Sequence, residues 1–205
     1  MSDLKFYVTS KMFKLKSTLK RELGKDMSSQ VLDKTKHYYK ELDKSKPKEK
    51  GIMRLHRTLW IVGLAVYRAM EDELFDRDDL VDIIQRVMWR SVLCDLIRMQ
   101  AFFIRHSKDP FNLFLKFLGP RNEQFFTCPP WEKVEVELEN GIGWDQVKCP
   151  VYEFFKEEDE LGLMTRAYCD LDRLIADLVP DHIELKRERT LAKGDSSCDF
   201  YYYRK

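Results

Sequence analysis

Long apolar runs are missing from this chain. The longest uninterrupted one, Leu59 to Tyr67, covers nine residues, against the roughly 20 that a membrane-spanning helix needs, so no span is expected. The opening residues lead straight into Lys11, Lys14, Lys16 and Lys20. No apolar core of secretory length precedes them, and the expected location is the cytoplasm. A glycine-rich phosphate loop, a G-x-S-x-G elbow and an H-E-x-x-H helix are absent as well. Nucleotide hydrolysis and serine-type acyl transfer therefore drop out of the expected chemistry. Internal repeats and low-complexity tracts are also lacking.

Paired cysteines are a further absence. Cys94, Cys128, Cys149, Cys169 and Cys198 are scattered, and no two form the C-x-x-C of a zinc knuckle or a thioredoxin-like site. In a chain without a secretion signal the five are expected to be reduced thiols. A metal site from Cys149, Cys169 and Cys198 is a chemically sensible soft donor set. It would require the fold to gather them, which spacing does not show. Histidine is scarce: His182 is the one histidine in residues 121–205, and His37, His56 and His106 have no acid or cysteine pattern beside them. None is assigned a role.

What the chain does have is a core. Its 205 residues are 44% hydrophobic and 13% aromatic, enough apolar surface to offset chain entropy in one domain. Charge is balanced overall but not along the length: residues 1–50 carry 14 Lys and Arg against 7 Asp and Glu, and the remainder 22 against 28. A basic arm of this kind can meet nucleic acid or an anionic membrane surface. No groove-reading motif accompanies it, so nucleic acid is not the expected partner, and the lysines read as solvated helix faces. A homo-oligomer formed through these helices is another arrangement they allow.

Met12, Leu15, Leu19 and Leu23 fall at helical spacing within residues 4–24, and Val31, Tyr38, Tyr39 and Leu42 continue after a break near Gly24–Ser29. Ser45 to Lys50 is a polar joint. Leu55, Leu59, Val62 and Val66 mark a core-facing helix from Ile52, and Asp78 or Asp79 caps a second long helix running through Leu80, Ile84, Val87 and Ile97. Asp109-Pro110 opens a short helix that Gly119-Pro120 is expected to stop. The period then changes to two: Val134, Val136 and Leu138 alternate with glutamates, Asn140-Gly141 turns, and Trp144 to Lys148 returns. Pro150 opens a helix, Met164 to Leu178 forms a longer one, and Ile183–Leu191 with Cys198–Tyr203 make a second hairpin. The fold class implied is α+β, with an antiparallel sheet of about four strands and two intervening helices. Residues 1–205 read as one domain: basic amphipathic helices over 1–50, a helical core over 51–120 and an α+β region over 121–205.

Several residues could carry chemistry. Cys149-Pro150 places a thiol at a helix N-cap, where free amides favour a thiolate, and a small buried side chain at a junction is the plain alternative. Cys169 and Asp172, three apart, are neighbours on one helix; a carboxylate raises a neighbouring thiol's pKa, which makes Asp172 the better base of the two. Arg187 and Arg189 share a strand face with Ile183 and Leu185 by the period of two. A forked guanidinium there suits a substrate carboxylate, or an ion pair with Asp172, Asp177 or Asp199. Cys198 falls on the same layer across the hairpin.

The stretch from Val147 to Tyr202 resembles the C-terminal part of the L-2-amino-thiazoline-4-carboxylic acid hydrolase family. The residues that carry the resemblance are Cys149-Pro150-Val151-Tyr152-Glu153-Phe154-Phe155, Cys169 with Asp172, then Arg187, Thr190, Gly194 and Cys198-Asp199-Phe200. The resemblance implies hydrolytic opening of a cyclic amidine, a thiazoline carboxylate. On the residue reading above, Cys149 or Cys169 would supply a thiol and Asp172 would activate water as the catalytic set, while Arg187 would hold a carboxylate with Thr190 and Cys198 also on the substrate. The chain departs from the family's pattern at Ser197, where a histidine is common, and at Tyr201, where an arginine is common. The glycine-then-Cys-x-Phe ending is also similar to small-ligand-binding domains of the vinyl-reductase type, which implies a sensor or carrier without turnover.

Overall fold

A computed structural model of the chain describes residues 14–45, 51–73, 76–90, 94–125 and 129–205. The described residues fall into two compact units, Met1–Cys94 and Asp95–Lys205. None of their helices is long and apolar enough to cross a membrane.

The first unit is helical. Helix α1 covers residues 14–23, with Leu15 and Leu19 buried; the expected helical positions before residue 14, Met12 among them, lie outside the described residues. The expected break narrows to Gly24, whose φ of 78° is left-handed, a conformation that costs glycine little. Helix α2 (Lys25–Ser45) buries Val31, Thr35 and Leu42. Most of the Ser45–Lys50 joint lies outside the described residues. Along α1 and α2, Lys16, Lys20, Lys25, Lys36, Lys40 and Lys44 are exposed. Helix α3 (Gly51–Glu71) is apolar over more of its circumference than the expected stripe: Ile61, Leu64, Ala65 and Met70 are fully buried, whereas Leu59 and Val62 sit at the rim. Lys34 of α2 pairs with Glu73 at 2.8 Å and the Tyr38 hydroxyl donates to Asp72 at 3.0 Å, tying α2 to the end of α3. The expected second long helix is described in two pieces, α4 (Arg77–Met88) here and α5 (Cys94–Arg105) mostly in the second unit; residues 91–93 lie outside the described residues.

His56 on α3 is buried, and loss of water around it pulls the imidazole from 6.5 down to about 4. Between those two pH values the unfolded chain takes up a proton that the folded one refuses. Stability present above pH 6.5 is thus lost as the pH falls. Denaturant unfolding at stepped pH should show this loss, at most roughly 3 kcal/mol, and His56→Gln should flatten it.

In the second unit, α5 and α6 (Pro110–Phe125) are followed by β1 (Glu132–Val136), β2 (Gly141–Lys148), α7 (Pro150–Glu157), α8 (Leu161–Met164), a π-helical turn over Thr165–Cys169, and α9 (Asp170–Ala176). Strand β3 (Ile183–Lys186), a 3-10 turn over Leu191–Lys193 and β4 (Cys198–Arg204) complete it. The four strands form an antiparallel sheet in the order β1-β2-β4-β3, so the fold class is α+β. Helix α6 runs through Gly119-Pro120 instead of stopping there. A glycine stop needs a left-handed backbone, and among the described glycines only Gly24 and Gly194 have positive φ.

Register assigns the faces. Trp144, Phe200 and Tyr202 share one side of the sheet, and Trp144 and Tyr202 join Ala101, Ile104, Phe111, Phe114, Val179 and Ile183 in a buried core. Val134 pairs with Asp145 and Val136 with Gly143, on the opposite side. Val134 is 55% exposed. The alternation in β1 is real, but its valines face away from the core. Lys133, on the other side, lies 5.7 Å over the Trp144 ring. At Gly141 an added Cβ would fall 2.2 Å from the Tyr202 carbonyl oxygen, so the β2–β4 ladder closes only around a hydrogen.

Candidate functional site

The inner face of the sheet carries an aromatic stack that ends in a cation. Trp144 lies parallel to Phe200, centroids 5.3 Å apart, and the Arg187 guanidinium sits 4.2 Å over the Phe200 ring. Arg187 follows Ile183 and Leu185 onto this face by the period of two, one residue past the end of β3 at Lys186. Residues 187–190 leave the ladder, and the amides of 188–190 bond to carboxylates instead. Asp199 accepts from the Glu188 amide at 3.0 Å and from the Arg189 amide at 2.7 Å, and Asp195 accepts from the Thr190 amide at 2.7 Å.

The shortened strand corrects the expectation that both arginines share a face. Arg187 points inward, its side chain 7% exposed. It donates through Nη1 to Asp172 Oδ2 at 2.5 Å and to the Cys169 carbonyl at 2.7 Å. Arg189 lies on the other side, where it donates to Asp145 at 2.9 Å and to the Tyr201 hydroxyl at 2.8 Å; that hydroxyl donates in turn to Asp145 at 2.9 Å. Tyr201 is therefore held in a separate cluster with Asp145.

Cys149, Cys169 and Cys198 are buried free thiols, close enough to interact electrostatically, and Cys169 and Cys198 both act on Arg187. Cys149 is the N-cap of α7, with Pro150 in the first turn. The amides of Val151 and Tyr152 favour its thiolate but do not reach cap hydrogen-bond geometry, and burial outweighs them, pushing the thiol up. Burial thus works against the activated thiolate that the N-cap position suggests. Burial likewise pushes Cys169 up to about 12, against a smaller downward pull from Arg187. The Cys198 sulfur accepts from the Leu191 amide at 3.2 Å. Among the described residues no group of three His, Cys, Asp or Glu side chains is arranged to hold a metal ion, so the three thiols meet without forming a ligand set.

Asp172 is pulled two ways: burial raises its carboxyl and the Arg187 guanidinium lowers it, with burial the larger. Two polar atoms of the 187–190 segment are buried without a hydrogen-bond partner, Arg187 Nε and Thr190 Oγ1. A buried donor left unsatisfied costs about 1–3 kcal/mol, so each of the two atoms calls for a partner. The pairing of Asp199 and Asp195 with the 188–190 amides lies beyond what the sequence patterns predict. The signal for it was three aspartates within a short hairpin segment, Asp181, Asp195 and Asp199, of which two turn inward on backbone.

Alkaline pH should expose the thiol burial. Cys169 ionises near 9.0 in the unfolded chain and at about 12 when folded. Above pH 9.0 the unfolded state loses a proton that the folded state keeps, so stability is full below that pH and falls as pH rises toward 12. Site-resolved alkylation at pH 8 should accordingly label Cys169 far more slowly than an exposed thiol.

The comparisons with known proteins agree with the motifs in the second unit. The sequence model described as L-2-amino-thiazoline-4-carboxylic acid hydrolase matches residues 52–202. No curated protein matches the chain. Among solved structures, an H-NOX protein from S. oneidensis in the Fe(II)NO ligation state is similar at 13% identity and a TM-score of 0.41, over 95% of this chain and 97% of that one. An Fe(II) unliganded H-NOX mutant from K. algicida is similar at 11% identity and a TM-score of 0.34, over 95% of each chain. A likeness at this level assigns no chemistry.

Proposed function

Because the chain belongs to the L-2-amino-thiazoline-4-carboxylic acid hydrolase family, we propose that it hydrolyses the carbon–nitrogen bond of a small cyclic amidine that bears a carboxylate. The observation that carries this reading is the pair of buried, unpartnered atoms, Arg187 Nε and Thr190 Oγ1, beside the Asp172–Arg187 ion pair. Both atoms are donors, and a carboxylate accepts from two donors at once. Arg187 would thus bind the substrate through Nε while Nη1 stays on Asp172.

Asp172 is the base in this reading. Arg187 occupies Oδ2, which leaves Oδ1 for a water. A carboxyl raised by burial is a stronger base than an exposed one, and the Arg187 guanidinium beside it favours its charged form. Asp172 takes a proton as the water oxygen bonds to the amidine carbon and the C=N electron pair moves to nitrogen. Asp172 returns that proton to the nitrogen, then takes the remaining proton of the new hydroxyl and passes it to the same nitrogen as the carbon–nitrogen bond breaks, leaving a carbonyl and an amine. Cys149 and Cys169, neutral at pH 7 because burial holds both thiols up, act as weak S–H donors and exclude water. They are not nucleophiles here. Cys198, with its sulfur fixed by Leu191, lines the same site.

The upward shift of both thiols also favours a second reading, a ligand-binding domain with the same carboxylate recognition and no turnover. Incubation with a panel of thiazoline carboxylates distinguishes the two. Ring opening followed by mass spectrometry should give a product heavier by one water; saturable binding with substrate recovered intact would favour the second reading.

A further inference from the structure

Arg187 and Thr190 bracket a segment with no strand partner, yet both side chains end buried. A chain leaving a sheet has backbone amides to satisfy and no ladder to do it. Here the acceptors are two carboxylates. Asp199, 4% exposed at the start of β4, receives Glu188 and Arg189 and lies 3.9 Å from Arg189 Nε. Asp195 receives Thr190, and the Thr190 carbonyl in turn accepts from the Lys193 and Asp195 amides at 2.9 and 3.3 Å. The Arg189 carbonyl accepts from the Asp199 amide at 3.4 Å, so the contact between the two segments is reciprocal. Neither aspartate bonds to the side chains they place.

We propose that Asp199 and Asp195 are positioning residues for carboxylate recognition, fixing the backbone of 187–190 so that Arg187 Nε and Thr190 Oγ1 face the same substrate group. The proposal rests on the reading above that those two atoms take a carboxylate. Its physical content is preorganisation: donors held before the ligand arrives lose little freedom on binding, and a misplacement of about 1 Å can cost on the order of a hundredfold. Asp199→Asn keeps the Oδ1 that accepts from both amides but removes the charge and sets an N–H₂ in place of Oδ2 against the Glu188 amide. Asp195→Asn does the same more mildly, with Thr190 alone affected. Arg189, whose guanidinium also meets Asp145 and Tyr201, stays anchored in both variants.

The test uses full-length protein and two probes, 2-amino-thiazoline-4-carboxylate and its neutral 4-carboxamide, with affinities measured by calorimetry and folding checked by thermal melts. Wild type should prefer the carboxylate. Asp199→Asn should lose about tenfold or more in carboxylate affinity and leave carboxamide affinity unchanged, and Asp195→Asn should lose less in the same direction. A merely structural role would weaken both probes together. Wild-type carboxylate preference in either folded variant, or parallel loss for both probes, overturns the positioning role. If Asp199→Asn does not fold, Asp195→Asn decides alone. Equal or absent binding of the two probes by wild type overturns the carboxylate reading itself, and the positioning role with it.

Discussion

Replacing Asp172 with Asn is expected to lower turnover by about 10²–10⁴-fold, the usual contribution of a positioned general base, with little change in substrate affinity. The amide keeps the shape of the carboxyl and can still accept from Arg187, so the Arg187–Phe200 contact and the Cys169 carbonyl bond should persist. What disappears is the ability to take a proton from water. In wild type the same group sets the acid limb of the pH profile. A base works when deprotonated, so kcat/KM should fall as pH drops through the Asp172 pKa. That limb should lie above 3.8, because burial outweighs the ion pair. Asp172→Asn should erase it. Steady-state kinetics on both proteins across the acid range make the comparison.

Arg187→Met is expected to destabilise the fold by about 1–3 kcal/mol, the cost of losing charge-assisted hydrogen bonds in a pair whose Arg187 side chain is 7% and Asp172 side chain 31% exposed. Three interactions are lost together: the 2.5 Å bond to Asp172, the 2.7 Å bond to the Cys169 carbonyl and the stacking on Phe200. The Asp172 carboxylate is then left without its counter-ion. The double variant Arg187→Met with Asp172→Leu should recover most of the loss, because the isolated charge is gone. Denaturant unfolding of wild type, both single variants and the double gives the coupling directly. Additive effects would mean that the pair is not coupled in the folded protein.

Local signals in the sequence carried a good part of this architecture. Cys149-Pro150 announced the start of α7, Asn140-Gly141 the turn into β2, and the change from a period near 3.6 to a period of two located the sheet. Each of these depends on neighbours in sequence. The errors came where the outcome depends on distant partners. Alternation in Glu132–Val136 says which residues share a face but not which face is inward; that was decided by Trp144 and Phe200, whose aromatic area outweighs two valines. The period of two carried Arg187 and Arg189 to one side only as long as the strand continued, and it ends at Lys186 because Asp199 and Asp195 take the next amides. A helix N-cap suggested a thiolate at Cys149, but burial, a property of the whole unit, reverses the direction. The π-helical turn over Thr165–Cys169 had no local marker. It interrupts the single helix expected from Met164 to Leu178 where Cys169 offers its carbonyl to Arg187, and π-turns of this kind frequently sit at functional sites.

The most direct measurement is hydrolysis of 2-amino-thiazoline-4-carboxylate in ¹⁸O-labelled water, with binding and product followed on the same sample of wild-type protein. Saturable binding together with a ring-opened product that carries one ¹⁸O at the former amidine carbon is the predicted result. Binding of the same strength with the ring intact and no label taken up would contradict the hydrolase reading and leave a ligand-binding domain built on Arg187.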